Sequence, residues 1–299
     1  MPSLFTHYDI GQKTLNILNK KIQNEINKYI DYYNYFNQGW DNMYYLQPFN
    51  SNYRKLGVKS HKKNVPAFFC NMVKFIKNNN LEDKNYLSNT IYGFMNHYIT
   101  DTIIHPYINY QVKNLGIPHT KMEFMLDRYI NKNITKKDFK TVTPKIYFYN
   151  ELINMLDYTF LNTHGEKNIG KRFNKGRKNG YYLHRYFGYD KHGFKSKFYK
   201  ILYIIPIFKR ISVSDLTYYK NHYFDERILN KEKISWHHPN NENEKYNYSL
   251  EELFEITIKI AKKVNTEIYN VIHKNGDINK LYELIDSINL KSIGVILHW

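Results

Sequence analysis

A chain of 299 residues with 42% hydrophobic content can bury a sizeable core and is too apolar to be disordered. Its one cysteine, Cys70, excludes an internal disulfide. The formal charge of +17 points towards a polyanionic partner, either a phosphate-rich membrane surface or nucleic acid.

The first residues, MPSLFTHYDIGQKTL, lack a basic segment followed by an apolar run, so no secretory signal is expected and the chain reads as cytoplasmic. Thr6 or Asp9 is placed to cap a first helix over 10–37. Leu15, Leu18, Ile22, Ile26, Ile30 and Tyr33 recur there at steps of three and four. Gln38 to Asn42 breaks it, and 48–60 reads as a polar loop. A second helix is expected over 61–77, a turn over 78–83 and a third helix over 86–105. Pro106 disfavours helical geometry at His105 and so should end the third helix. Pro118 has the place of a first-turn proline opening a helix over 119–131, and another helix is expected over 144–162. The stretch 164–200 is rich in Gly, Arg and Lys without a clean period and reads as a long basic loop or lid.

Further helices are expected over 200–208 and 213–229. The longest apolar run, 201–208, contains Pro206 and is far too short to span a bilayer. A polar loop over 236–241 leads to Ser249, which forms a capping box with Glu252 and starts a helix ending near His273. A short helix over 278–288 closes the chain. With no sustained alternation and no repeats, the expected fold is all-α, a single multi-helix domain over 1–299 with its chemistry within 1–130.

The informative stretch lies between His97 and Glu123. His97, Asp101 and His105 are spaced by four, as are His119 and Glu123. On a helix such residues stack on one face. One buried His–Asp pair is ordinarily a hydrogen-bonded core pair. Five candidate ligands within 27 residues on two consecutive helices point instead to a metal site, and zinc accepts both imidazole nitrogen and carboxylate oxygen. Three outlying residues, His7, Asp41 and His61, complete an ordered series. His164, His184, His192, His222, His237, His238, His273 and His298 lack ligand spacing to a carboxylate and read as surface or loop histidines.

The series resembles the zinc-dependent phospholipase C family, which shares its all-α fold with the S1/P1 nucleases. The resemblance covers about 1–129 and rests on HYITDTIIHPYI, HTKMEFMLDRYI and GWDNMYYLQPF. It implies two to three zinc ions. Asp41, His61, His97 and Asp101 would hold the first; His105, His119 and Glu123 the second. Asp101 would bridge to a third, held also by His7 and the N-terminal residue. Secreted relatives supply a Trp amine there. This chain has Pro2, freed if Met1 is removed.

Clustered zinc neutralises a phosphodiester and lowers the pKa of a bound water, with Asp41 as ligand or proton acceptor. The expected activity is hydrolysis of a phosphoric diester, foremost a glycerophospholipid giving diacylglycerol and a phosphorylated head group. An anionic membrane surface is a possible partner. A single-strand nuclease and a non-catalytic zinc-stabilised binder of phosphorylated ligands are the alternatives. Phe173, Tyr181, Tyr182, Tyr186, Phe187 and Tyr189 could stack bases, meet lipid or form core.

Overall fold

Apolar residues at steps of three and four build the molecule, and the fold is all-α. The computed structural model describes residues 4–46, 51–132, 134–190, 192–202, 218–219, 224–239 and 241–288. The helix expected over 10–37 is three: α1 Leu4–Ile17, α2 Lys20–Lys28 and α3 Ile30–Phe36. Asn19 causes the first break, because its side chain accepts from Ile22 N at 3.1 Å and caps α2. Tyr29, at φ −136 and ψ 45, makes the second. The breaks let one amphipathic stretch bend around the chain's central helix.

A 3-10 helix, Gly39–Tyr45, follows. The polar stretch read as a loop is largely α4, Ser51–Lys62. Asn64, left-handed at φ 57, turns the chain into α5, Val65–Asn78, with Pro66 in its first turn.

The central helix is α6, Asn85–Leu115, 31 residues long and mostly buried. It runs through Pro106 instead of stopping at His105. An interior proline costs about 3 kcal/mol. Burial of Tyr107 and Ile108, at roughly 1.5–3 kcal/mol for each large side chain, offsets that. Gly116 is the actual stop, left-handed at φ 63.

Next come α7 His119–Ile130, directly after Pro118, and α8 Lys136–Val142, an unexpected helix opened by a capping box of Thr135 and Asp138. The helix expected over 144–162 is α9, Asn150–His164.

The basic stretch is not a loop. It holds α10, Ile169–Leu183, a π-helical turn, His184–Gly188, a short strand β1, Tyr189–Asp190, and α11, Phe194–Leu202. Its glycines are contact points. A Cβ on Gly176 would lie 2.3 Å from Asn42 O, and one on Gly180 would lie 2.6 Å from the Tyr45 ring. These glycines let α10 lie against the 3-10 helix.

Residues β2, Tyr218–Tyr219, pair in parallel with β1. A 3-10 turn follows at Glu226–Leu229. The rest of the helices expected over 200–208 and 213–229 lies outside the described residues. The loop expected over 236–241 is instead an antiparallel hairpin of β3, Trp236–His238, and β4, Asn241–Tyr246. The capping box at Ser249 opens α12, Leu250–His273, and α13, Ile278–Asp286, follows.

One apolar cluster runs from Ile10 to Ile288, with α6 packed against α1, α2, α3, α5, α7 and α12. A smaller one joins Leu4, Phe5, Phe124, Phe139 and Val142, and so fixes the start of α1 against α7 and α8. Among the described residues, no helix is long and apolar enough to cross a membrane.

Candidate metal centre

Five elements deliver the eight residues singled out above, and all eight meet. Thr6 positions His7. Its backbone N–H and hydroxyl both donate to Asp127 Oδ1 at 2.8 Å, locking α1 to α7. Asp41 sits in the first turn of the 3-10 helix. Gly39 permits that turn at φ +46, and a Cβ there would strike the His97 ring at 2.0 Å. His61 lies in the last turn of α4. Its Nδ1–H donates to Gly57 O at 2.7 Å, which leaves the Nε2 lone pair facing the site. The buried indole of Trp40 backs both His61 and His97, at ring separations of 5.0 and 6.1 Å. His97, Asp101 and His105 share one face of α6, and α7 brings in His119 and Glu123.

Asp101 lies between the groups. Its Oδ2 is 3.3 Å from His97 Nε2 and 3.5 Å from His61 Nε2. Its Oδ1 is 3.2 Å from His7 Nε2 and 3.5 Å from His105 Nδ1. Asp41 closes the first set, Oδ1 at 3.5 Å from His61 Nε2 and Oδ2 at 3.6 Å from His97 Nε2. The two imidazole Nε2 atoms stand 3.1 Å apart. In the second set, Glu123 Oε1 is 3.1 Å from His105 Nε2 and 3.0 Å from His119 Nε2.

These distances fit a metal. A tetrahedron with zinc-to-ligand bonds of 2.0–2.1 Å has edges of ~3.3–3.4 Å. His61 Nε2, His97 Nε2 and Asp101 Oδ2 stand 3.1, 3.3 and 3.5 Å apart, and Asp41 approaches the two imidazoles with different oxygens, Oδ1 at 3.5 Å from His61 and Oδ2 at 3.6 Å from His97. Asp41 Oδ2 and Asp101 Oδ1 are enclosed yet accept no hydrogen bond among the described residues. A buried carboxylate oxygen left so is costly unless a cation meets it. Three groups thus could hold a metal ion: Asp41–His61–His97, His7–His97–Asp101 and His105–His119–Glu123.

Without a cation the electrostatics are those of a crowded site. Burial dominates at His97 and lowers its pKa to about 4, although Asp101 and Asp41 oppose it. At His105 burial is outweighed by Asp101 and Glu123, which raise it to about 9. At His61 burial also loses, to Asp41 and then Asp101, and the pKa rises. Burial would raise both acids, but His105, His97 and His7 hold Asp101 well below its usual range, and His105 and His119 hold Glu123 at about 2.

The groups open onto a cavity of 370 Å³. Its wall includes residues that no spacing rule could flag: Tyr44, Lys62 and, from the hairpin, His238. Tyr44 stacks on the outer side of His61 at 6.1 Å and 7°. His238 is not the loop or surface histidine its spacing suggests. It is buried, and it reaches the cavity because β3 packs on α6, a long-range contact with no local signature. The aromatics of the basic stretch divide: Phe173 and Tyr181 are core, whereas Tyr182 and Tyr186 are exposed.

Fold and site together define an all-α protein with a buried, multi-group His/Asp/Glu centre able to hold metal. No protein-family model, curated protein or solved structure matches the chain.

Proposed function

We propose that the chain is a zinc-dependent hydrolase of phosphoric diesters, foremost a phospholipase C acting on a glycerophospholipid. One observation carries this: eight His, Asp and Glu side chains from five elements come together in adjoining groups, and six of them, Asp41, His61, Asp101, His105, His119 and Glu123, line a single cavity. Asp41, His61, His97 and Asp101 would hold one ion, and His105, His119 and Glu123 a second. His7 with Asp101 would hold part of a third. The N-terminal amine suggested for that ion lies outside the described residues. Zinc bound there supplies Lewis acidity and offsets the negative charge of the ester.

The chain's own residues do the remainder. Asp41 Oδ2, buried and accepting no hydrogen bond among the described residues, is placed to take a proton from the attacking water. Gly57 O fixes the His61 tautomer. Exposed Lys62 at the cavity wall attracts the phosphate.

The test pairs metal analysis with hydrolysis of a short-chain phosphatidylcholine beside single-stranded DNA. Two or three zinc ions with lipid cleavage support the reading. DNA cleavage in place of lipid cleavage moves it to a nuclease, and zinc without either activity moves it to a phosphate-ligand binder. Failure to retain zinc from metal-replete medium removes the site.

A further inference from the structure

The basic stretch ends in a helix whose outer face is largely exposed among the described residues. In α11, Phe194, Phe198 and Ile201 are 73%, 57% and 63% exposed. Their i, i+4, i+7 spacing puts them within about 60° of arc on one face. Tyr199, on the opposite side, is buried and anchors the helix. Lys195 Nζ donates to the Tyr186 carbonyl and, at 3.0 Å, to that of Tyr189, tying α11 to the π-helical turn. The inner face is held down, so the apolar stripe points outward through the way the helix is attached.

Single exposed apolar residues are ordinary; an aligned stripe among cations is not. Residues 164–200 carry eleven lysines and arginines against two acidic residues. Lys197 is exposed beside the stripe. Tyr186, whose carbonyl accepts from Lys195, is itself exposed and stacks on exposed Tyr182 at 6.1 Å and 17°. Outward Phe and Ile, neighbouring tyrosines and a strong positive charge make the pattern of a helix lying in a bilayer interface. A single-stranded nucleic acid needs a groove with stacking rings, and a convex stripe containing an isoleucine offers none.

We propose that α11 is an interfacial docking helix. Its Phe194, Phe198 and Ile201 face enters the headgroup–acyl boundary of an anionic phospholipid bilayer while exposed Lys197 beside it meets lipid phosphates. The proposal deepens the phospholipid reading of the cavity, and its test separates the two.

Metal-replete protein is spun with sucrose-loaded vesicles of phosphatidylcholine, with and without phosphatidylglycerol. Binding should need the anionic lipid, fall as salt rises, and weaken at least ~10-fold in the Phe194→Ser/Phe198→Ser double variant. That variant should keep its melting temperature and its turnover of a monomeric short-chain substrate. In a Phe198→Trp variant, brominated lipid should quench the new indole.

No binding to anionic vesicles overturns the proposal, as does equal binding by the double variant. So does preferential binding to oligothymidylate, or a self-association that the double variant abolishes. Vesicle binding without hydrolysis of any diester removes the hydrolase reading and leaves the docking helix. Hydrolysis without vesicle binding does the reverse.

Discussion

Two residues decide most of what the centre can do. Asp41 has its Oδ1 near His61 and its Oδ2 near His97. An Asp41→Asn variant keeps the shape and one oxygen ligand but loses the proton acceptor. Turnover should fall by about 10²–10⁴-fold, the usual worth of a general base, with a smaller loss of bound zinc. Equal losses of zinc and turnover would make Asp41 a ligand only.

Gly39 has no such chemistry and is just as constrained. Gly39→Ala forces an L side chain to φ +46 and drives its Cβ into the His97 ring. We expect at least ~1–3 kcal/mol of lost stability and weaker metal retention, read by thermal melting and by metal analysis.

His105 supplies a pH test. Asp101 and Glu123, against burial, keep it protonated up to about pH 9 in the metal-free protein, whereas a free histidine loses its proton near 6.5. A metal ion must displace that proton. Binding near pH 7.5 should release about one proton or more, and apparent affinity should rise with pH up to about 9. Calorimetry in buffers of different ionisation enthalpy measures the release; affinity independent of pH from 6.5 to 9 would refute it.

At the scale of elements, α6 and α7, which carry five of the ligands, were legible, whereas α4, the 3-10 helix and the helix that braces them were not. The spacings in α6 and α7 are local and survive any packing, so His97, Asp101, His105, His119 and Glu123 could be read directly. The box of Ser249 and Glu252 fixed the start of α12 for the same reason. By contrast, α10 hides its period. Ile169, Phe173, Arg177 and Tyr181 do share a buried face, but glycines and an arginine fill positions where a core helix usually shows apolar bulk. Gly176 and Gly180 look like helix breakers in sequence, and only the neighbouring 3-10 helix explains them. Likewise Pro106 reads as a stop because the burial that offsets its cost is tertiary.

The bracing role can be tested. Gly176→Ala puts a Cβ 2.3 Å from Asn42 O, one residue from Asp41. The variant should lose about 1–3 kcal/mol of stability to overpacking. It should also bind metal less tightly, although Gly176 lies far along the chain from every ligand. A stability loss with unchanged metal affinity would show that α10 does not position Asp41.

Across the whole molecule, α1, the 3-10 helix, α4, α6 and α7 all contribute to one centre, so a metal bound there would be coupled to the fold. Ligands contributed by separated segments cannot form the site in an unfolded chain. Each ion that binds only the folded protein adds stability of RT ln(1 + [L]/Kd), about 2.7 kcal/mol at a hundredfold excess over Kd. Chelation should therefore lower the melting temperature by several degrees and zinc should restore it; equal melting with and without chelator would break the coupling.

The length and burial of α6 also set an order of events in time. It spans roughly 46 Å at 1.5 Å per residue and, among the described residues, packs against six other α-helices and the 3-10 helix. Its amides should exchange with solvent only on global unfolding, whereas the partly exposed His105 and His119 sit near surfaces that open locally. Ions held at Glu123 should then leave faster than those held by His97, giving metal release two separable rates from one folded protein.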